Sequence, residues 1–227
     1  MAEVLEERRK AAQEAVQLVD DGMLVGLGSG STVELFLKEF LKEKKVKIIA
    51  ASRATQLLAD SMGFASYYLD SPIIPDITFD SADRVDPFLN LLKGGGGALL
   101  GEKLLARRSK KYVIIIDERK FVKKLFLDFP LPVEIEPISY YDVNASLRSL
   151  NFSGKLRTGT GKNGPILTDN GNWIIDLDLS AYQGDFTLLD RSLKLITGIV
   201  ETGIFVDLVS DLIIGSAEGV NIIRASK

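Results

Sequence analysis

Short apolar runs, each closed by a turn of small or polar residues and followed by a helical segment, recur along the first half of the chain. Met23–Leu27 leads into Gly28-Ser29-Gly30-Ser31-Thr32 and then a stretch carrying Val33, Leu35, Phe36, Leu37 and Phe40 at helical spacing. Val46–Ala50 leads into Ser52–Thr55 and a helical pattern over Ala54–Met62. Asp76–Phe79 ends in Asp80-Ser81-Ala82-Asp83-Arg84-Val85-Asp86-Pro87, and Lys111–Ile116 ends in Asp117–Lys120. Repeating strand–turn–helix units of this kind argue for a parallel sheet covered by helices on both faces. An opening helix over Glu3–Asp20, stopped near Gly22, fits the same plan. The expectation is an α/β fold with a Rossmann-like, doubly wound, mostly parallel sheet.

The pattern changes at Phe129-Pro130-Leu131-Pro132, where two prolines stiffen the chain at a plausible domain boundary. Beyond it the spacing predicts a strand over Val133–Ser139 and a helix over Asp142–Leu150. Strands near Pro165–Thr168 and over Trp173–Leu177 follow, then a helix over Leu188–Ile196 and a strand over Ile199–Phe205. Asp169-Asn170-Gly171-Asn172 carries the Asn-Gly signal of a tight hairpin turn between the two central strands. That order, βαββαβ, is the ferredoxin-like split unit. The tail Ser210–Ser226, with a strand at Asp211–Ile214, has no place in it and is expected to return to the first sheet. The expected domains are residues 1–129 with 206–227, and a smaller ferredoxin-like α+β domain over residues 130–205.

The chain has 227 residues, a formal net charge of −3, and neither cysteine nor histidine. Thiolate catalysis, disulfides, Ser-His-Asp chemistry and imidazole metal ligation are therefore excluded. Proton transfer near neutral pH falls to a carboxylate, lysine or tyrosine with a shifted pKa. The acidic balance gives no general attraction to nucleic acid or an anionic membrane. The basic clusters Arg8–Lys10, Lys42–Lys45 and Arg107–Lys111 are short and read as solvated helix ends. The opening segment is charged and amphipathic rather than a signal peptide, and no apolar run is long enough to span a bilayer, so a cytoplasmic setting is expected.

The densest stretch for chemistry is Lys93-Gly94-Gly95-Gly96-Gly97-Ala98-Leu99-Leu100-Gly101-Glu102. Four glycines let a backbone approach a ligand and present its N–H groups, although a flexible connector is the other reading of such a run. In a helix over Ala98–Arg108, the neighbours of Glu102 at three and four residues are Ala98, Leu99, Leu105 and Ala106. Glu102 thus belongs on the buried stripe, where a carboxylate is costly unless it is paired or used. The turn Gly28–Thr32 has the geometry of a phosphate cradle, but it lacks the Gly-Lys-Ser/Thr of a P-loop and the third glycine of a dinucleotide fingerprint. Asp80, Asp83 and Asp86 recur every third residue after a strand end, which suits either a ligand site or ordinary Asx-turns. Lys120 also lies just past a strand end.

Together these stretches closely resemble ribose-5-phosphate isomerases of the A type, through Val25–Thr32, Ser52–Thr55, Asp80–Pro87, Lys93–Lys103, Pro130–Pro137, Thr168–Asn172 and Glu201–Phe205, in family order over nearly the whole chain. The resemblance implies isomerisation of ribose 5-phosphate to ribulose 5-phosphate with neither metal nor organic cofactor. It implies Glu102 as the general base of an enediolate pathway, and Asp80 and Asp83 as loop carboxylates that assist ring opening and hold hydroxyls. Lys93 would be the cation beside the developing oxyanion. It further implies that Ser29, Gly30, Ser31, Thr32, Ser81, Ala82, Gly94, Gly95, Gly96 and Lys120 complete the sugar-phosphate site, and that the chain forms a homodimer or homotetramer. Ser81, Arg84 and Gly101 depart from the family pattern, which has Gly, an acid and often Arg there. Arg84 is expected either to pair with a neighbouring aspartate or to face water. A non-catalytic sugar-phosphate sensor module is the competing reading; it needs the cradle but not an acid on an apolar helix face. An acyl-CoA transferase of related architecture has no CoA site here.

Overall fold

The computed structural model describes residues 2–70, 72–161 and 163–225. The remaining positions of the expected ranges, Met1, Ser71, Lys162, Ser226 and Lys227, lie outside the described residues.

In chain order the strands are β1 (Leu24–Leu27), β2 (Lys47–Ala50), β3 (Ala65–Tyr68), β4 (Ile77–Asp80), β5 (Arg84–Val85), β6 (Leu91–Leu92) and β7 (Tyr112–Asp117). They continue as β8 (Leu131–Ile135), β9 (Ser153–Leu156), β10 (Trp173–Asp178), β11 (Ile199–Thr202), β12 (Ile204–Phe205), β13 (Asp211–Gly215) and β14 (Val220–Arg224). The α-helices are α1 (Ala2–Ala15), α2 (Ser31–Leu35), α3 (Arg53–Ser61), α4 (Leu99–Arg108), α5 (Tyr140–Ser149) and α6 (Phe186–Lys194). The helix starting at Ser31 widens to a π-turn over Phe36–Phe40.

The large sheet has the order β14-β13-β7-β4-β1-β2-β3 and is parallel except for β14. The apolar runs explain it, because every residue of β7 and β13 is buried. One face packs Val25, Leu27, Phe79, Val113 and Ile115 against Ala11, Ala12 and Ala15 of α1 and Phe36 after α2. The other face puts Ile114, Ile116 and Leu212 against Ala106 of α4 and Leu91 and Phe205 of a small antiparallel sheet, β12-β6-β5. The doubly wound expectation holds, and the tail does return to this sheet through β13.

The second sheet has the order β11-β8-β10-β9, all antiparallel, as a βαββαβ unit requires. Leu131, Val133, Ile135, Ile175 and Leu177 point to one face and pack on Val143, Leu147, Leu189 and Leu193 of α5 and α6. Strand alternation sends Pro132, Glu134, Ile174 and Asp176 to the opposite face.

Three expectations are corrected. The second strand of this unit is Ser153–Leu156, not Pro165–Thr168, which makes only an isolated bridge at Thr158–Pro165. Ser153-Gly154-Lys155-Leu156 is a half-exposed edge strand without an apolar run, so pattern reading passes over it; the Asn-Gly turn itself forms, with Thr168 N–H donating to the Asn172 carbonyl at 3.0 Å. The expected strand Ile199–Phe205 is broken at Gly203 into β11 and β12, which belong to different sheets. A Cβ at Gly203 would stand 2.2 Å from the Lys93 carbonyl oxygen, so the backbones cross there. The opening helix ends at Ala15, followed by a 3-10 turn over Val16–Leu18 rather than helix to Asp20. Edge strands β3 and β14, with little apolar content or high exposure, were not expected at all.

Candidate active site

Strands β1 and β4 end side by side, and the approach is close: a Cβ at Gly28 would stand 1.9 Å from Asp80 Oδ1. Glycine at that position leaves room for the Asp80 carboxylate at the ends of the two strands. Asp80 is fully buried, yet both oxygens are satisfied. Oδ1 accepts from the Ser81 N–H at 2.7 Å and lies 3.0 Å from the Lys93 ammonium, and Oδ2 accepts from the Tyr112 hydroxyl at 2.8 Å. Tyr112, at the start of β7, is a residue that sequence reasoning missed; inside an apolar strand it reads as core.

Lys93 follows β6 and is 3% exposed. Its N–H donates to the Gly203 carbonyl at 2.9 Å and its ammonium also donates to the Ser81 carbonyl. Burial by itself would lower its pKa, but Asp80 and Glu102 together outweigh that and raise it. Glu102 lies in the first turn of α4, also 3% exposed, as the apolar spacing predicted. Its Oε1 accepts from the Ser29 hydroxyl at 2.6 Å and is 3.4 Å from the Lys93 ammonium, while Oε2 is buried with no protein partner. Burial pushes the Glu102 carboxyl up, Lys93 draws it down, Asp80 pushes it up again and Ser29 draws it down; it settles at about 7. A carboxylate held near neutrality, with one oxygen near a buried cation and the other free, can take and return a proton.

At the other end of the cleft, Ser29 is half-buried, Gly30 and Ser31 are exposed, and Thr32 is buried with its hydroxyl unpartnered. Thr55 holds the loop by donating from Oγ1 to the Gly28 carbonyl at 2.8 Å. Lys120 donates to Ser81 Oγ at 3.2 Å, and burial pushes its pKa down to about 8. Arg8 corrects an expectation: rather than facing water at a solvated helix end, it donates to Asp117 Oδ2 at 2.9 Å and to Ser31 Oγ at 3.0 Å. Only the fold could have revealed this, since α1 crosses the end of β7 from more than a hundred residues away in sequence. Two cations thus flank a hydroxyl-rich loop, an arrangement suited to a phosphate.

The glycine run forms the wall between these ends. Gly94 and Gly97 have φ of +102° and +80°, and Gly97 N–H donates to the Gly94 carbonyl at 3.0 Å. Asp83 accepts from Gly95 N–H at 2.8 Å. The carboxylates spaced by three divide their work. Asp83 turns to the glycines, whereas Asp86 makes an Asx-turn, accepting from the N–H groups of Phe88 and Asn90, each at 2.9 Å.

The departures resolve as follows. Ser81 takes part through its hydroxyl, N–H and carbonyl, as described above. Arg84 points away from the cleft, gripping Asp128 through Nε at 2.9 Å and Nη2 at 2.6 Å and donating to the Asp83 carbonyl at 2.7 Å. Gly101 is a packing position, where a Cβ would stand 2.1 Å from the Ala51 carbonyl oxygen.

Ser29, Gly30, Ser31, Thr32, Ser81, Ala82, Asp83, Lys93, Gly94, Gly95, Gly96, Glu102 and Lys120 line one cleft of about 150 Å³, with Asp80 beneath it. A larger groove, about 520 Å³, lies between α4 and α6, but its buried cation Lys103 is taken up by Glu201 at 2.7 Å and the Thr202 carbonyl at 2.8 Å. The smaller cleft is the one that brings together Glu102, Lys93, Asp83 and Lys120.

A family model described as ribose 5-phosphate isomerase A (phosphoriboisomerase A) matches residues 47–219. Among similar proteins, ribose-5-phosphate isomerase A of Archaeoglobus fulgidus is 41% identical over 213 residues, 91% of this chain and 94% of that protein. Its counterpart in Korarchaeum cryptofilum is 41% identical over 96% of this chain and 97% of that protein. The structure of ribose 5-phosphate isomerase A from Methanocaldococcus jannaschii superposes with a TM-score of 0.90 at 38% identity, covering 97% of this chain and 99% of that one. A D-ribose-5-phosphate isomerase in complex with phospho-erythronic acid superposes with a TM-score of 0.92 at 36% identity, with the same coverage.

Proposed function

This chain belongs to the ribose 5-phosphate isomerase A family, and on that footing we propose how its cleft interconverts D-ribose 5-phosphate and D-ribulose 5-phosphate. The observation that carries the reading is Glu102: buried, bonded to Ser29, within reach of Lys93, and with Oε2 unoccupied by protein. A sugar-phosphate sensor would have no use for a carboxylate kept at such a cost.

In the aldose-to-ketose direction, Glu102 removes the proton from C2 of the open-chain sugar. The electron pair forms the C1–C2 double bond of an enediolate, and the carbonyl π-pair moves to O1. Proton exchange between the oxygens and return of the Glu102 proton to C1 give the ketose. The proton moves within one substrate and no net oxidation occurs, so no cofactor is required. Lys93 opposes the charge that develops on the oxygens, in a site where burial strengthens its effect. Asp80, with both oxygens engaged, holds Lys93 in place. Asp83 faces the cleft and is the carboxylate suited to a sugar hydroxyl and to ring opening. Ser29 orients Glu102; Ser31, Thr32, Lys120 and Arg8 receive the phosphate; Ser81, Ala82 and Gly94–Gly96 line the sugar between. A coupled assay with ribose 5-phosphate on the wild type and Glu102→Gln tests this reading, and an inactive wild type would refute it.

Two domains, residues 1–129 with 206–227 and residues 130–205, are part of this proposal; the separate second sheet over residues 131–202 supports the smaller one, while Ile204–Phe205 pairs with β6 beside the first sheet. A homodimer or homotetramer through that smaller domain is supported by Ile138, Tyr141 and Leu195, which are 93%, 83% and 85% exposed in the single chain. Among the described residues no helix is long and apolar enough to cross a membrane. A phosphorylated sugar does not cross one freely, which supports a cytoplasmic setting.

A further inference from the structure

The second sheet contributes no lining residue to the cleft, although Pro130–Pro137 carries β8 and Thr168–Asn172 leads into β10. Its face opposite α5 and α6 is nevertheless turned to the glycine run. A Cβ on Gly94 would touch Pro132 Cβ at 3.0 Å, and one on Gly97 would lie 3.5 Å from Ile174 Cδ1. Arg157, just past β9, sits on that face. Its Nε donates to Asp176 Oδ2 at 2.8 Å and its Nη2 to Asp176 Oδ1, a fork-to-fork grip from the neighbouring strand β10. This leaves Nη1 directed at the glycines, where it donates to the Gly94 carbonyl at 2.7 Å and the Gly95 carbonyl at 3.1 Å.

The run is therefore gripped on both sides. Arg157 draws two carbonyls away from the cleft, and Asp83 takes the Gly95 N–H from the other direction. Between them lies Gly96, where a Cβ would stand 3.7 Å from Ser29 Oγ, the hydroxyl bonded to Glu102. Glycines have no conformational preference of their own that could hold such a turn. We infer that Arg157, oriented by Asp176, is a positioning residue for the isomerisation: it sets the Gly94–Gly97 turn so that the bare Gly96 backbone borders the reacting end of the sugar beside Ser29 and Glu102. The inference rests on the isomerase reading above.

The test compares full-length Arg157→Ala, Arg157→Lys and Asp176→Asn with wild type, measuring kcat and KM for ribose 5-phosphate. Binding is measured for phospho-erythronate, which reaches from the phosphate loop towards the reacting end, and for inorganic phosphate, which occupies the loop alone. For Arg157→Ala we expect kcat to fall 10- to 100-fold and phospho-erythronate to bind at least tenfold more weakly. Inorganic phosphate should stay within twofold, and millimolar guanidinium should restore part of the lost turnover. Arg157→Lys, which cannot grip Asp176 and reach Gly94 together, should remain impaired. Equal weakening of both ligands, or an unchanged kcat, would overturn the inference. If Arg157→Ala does not fold, Asp176→Asn carries the same comparison with a smaller loss in the same direction. An inactive wild type refutes the isomerase reading instead, so the two failures are distinguishable.

Discussion

The Ser29 hydroxyl donates to Glu102 Oε1 at 2.6 Å, joining the loop after β1 to the first turn of α4 across 73 residues of sequence. One bond therefore links the proposed phosphate end of the cleft to its base, and it favours the charged form of Glu102 against the desolvation that burial imposes.

Replacing Glu102 by Gln should lower kcat by roughly 10²–10⁴-fold, the usual contribution of a positioned general base, with KM changed little. The folded-state pKa of Glu102 is raised from 4.5 to about 7. Its contribution to stability is therefore present below the lower value and lost as pH rises through the upper one. The melting temperature of wild type relative to Glu102→Gln should accordingly decline across that window. A variant with near wild-type kcat would remove Glu102 from the mechanism.

For the free enzyme, kcat/KM should be bell-shaped. Its acid limb lies near 7, where Glu102 must lose a proton, and its alkaline limb near 8, where Lys120 loses the charge that receives the phosphate. Ser29→Ala removes a bond that lowers the Glu102 pKa, so the acid limb should move to higher pH. An acid limb that stays in place would separate Ser29 from the titration of Glu102.

Single variants Ser31→Ala, Thr32→Ala, Lys120→Ala and Arg8→Ala should raise KM while leaving kcat within a few-fold, since a remote phosphate contact acts on ground and transition states alike. For the two cations the rise should be about 10- to 100-fold, matching roughly 1.5–3 kcal/mol for a charged hydrogen bond. Unchanged KM in Ser31→Ala, Thr32→Ala and their double variant would move the phosphate elsewhere.

Gly101→Ala should lower thermal stability by about 1–3 kcal/mol, the usual cost of overpacking, because its methyl would meet the Ala51 carbonyl at 2.1 Å. An unshifted melting temperature would mean that α4 can move away from β2 at little cost.

Activity should survive exhaustive chelation. Among the described residues no cluster of three or more acidic side chains is placed to hold a metal ion. Loss of activity that added metal restores would contradict proton transfer by Glu102 without a metal.

Much of the candidate cleft is legible in the sequence because its signals are local. The apolar neighbours of Glu102 placed it on the buried stripe of α4, and small residues after β1 marked a loop that a ligand can approach. Arg8, Tyr112 and Arg157 carried no such signal. A cation among charged helical residues reads as solvated, a tyrosine in an apolar strand reads as core, and an arginine after an edge strand reads as surface. Each acquires its role from a partner on another element: Ser31, Asp80 and the Gly94 carbonyl. The edge strand Ser153–Leu156 was hidden for a related reason, since its pairing comes from β10 and not from its own side chains.

By itself, then, the sequence determined the alternation of apolar strands with helices, the absence of thiol and imidazole chemistry, and the place of Glu102 on a buried helix stripe. These follow from periodicity and composition, which act over a few residues. The tertiary structure alone decided that Lys93 lies between Asp80 and Glu102, that β11 and β12 part at Gly203, and that the second sheet grips the glycine run. Those contacts join separate elements of the chain, so their distances, and the pKa values that depend on them, exist only once the sheets have packed.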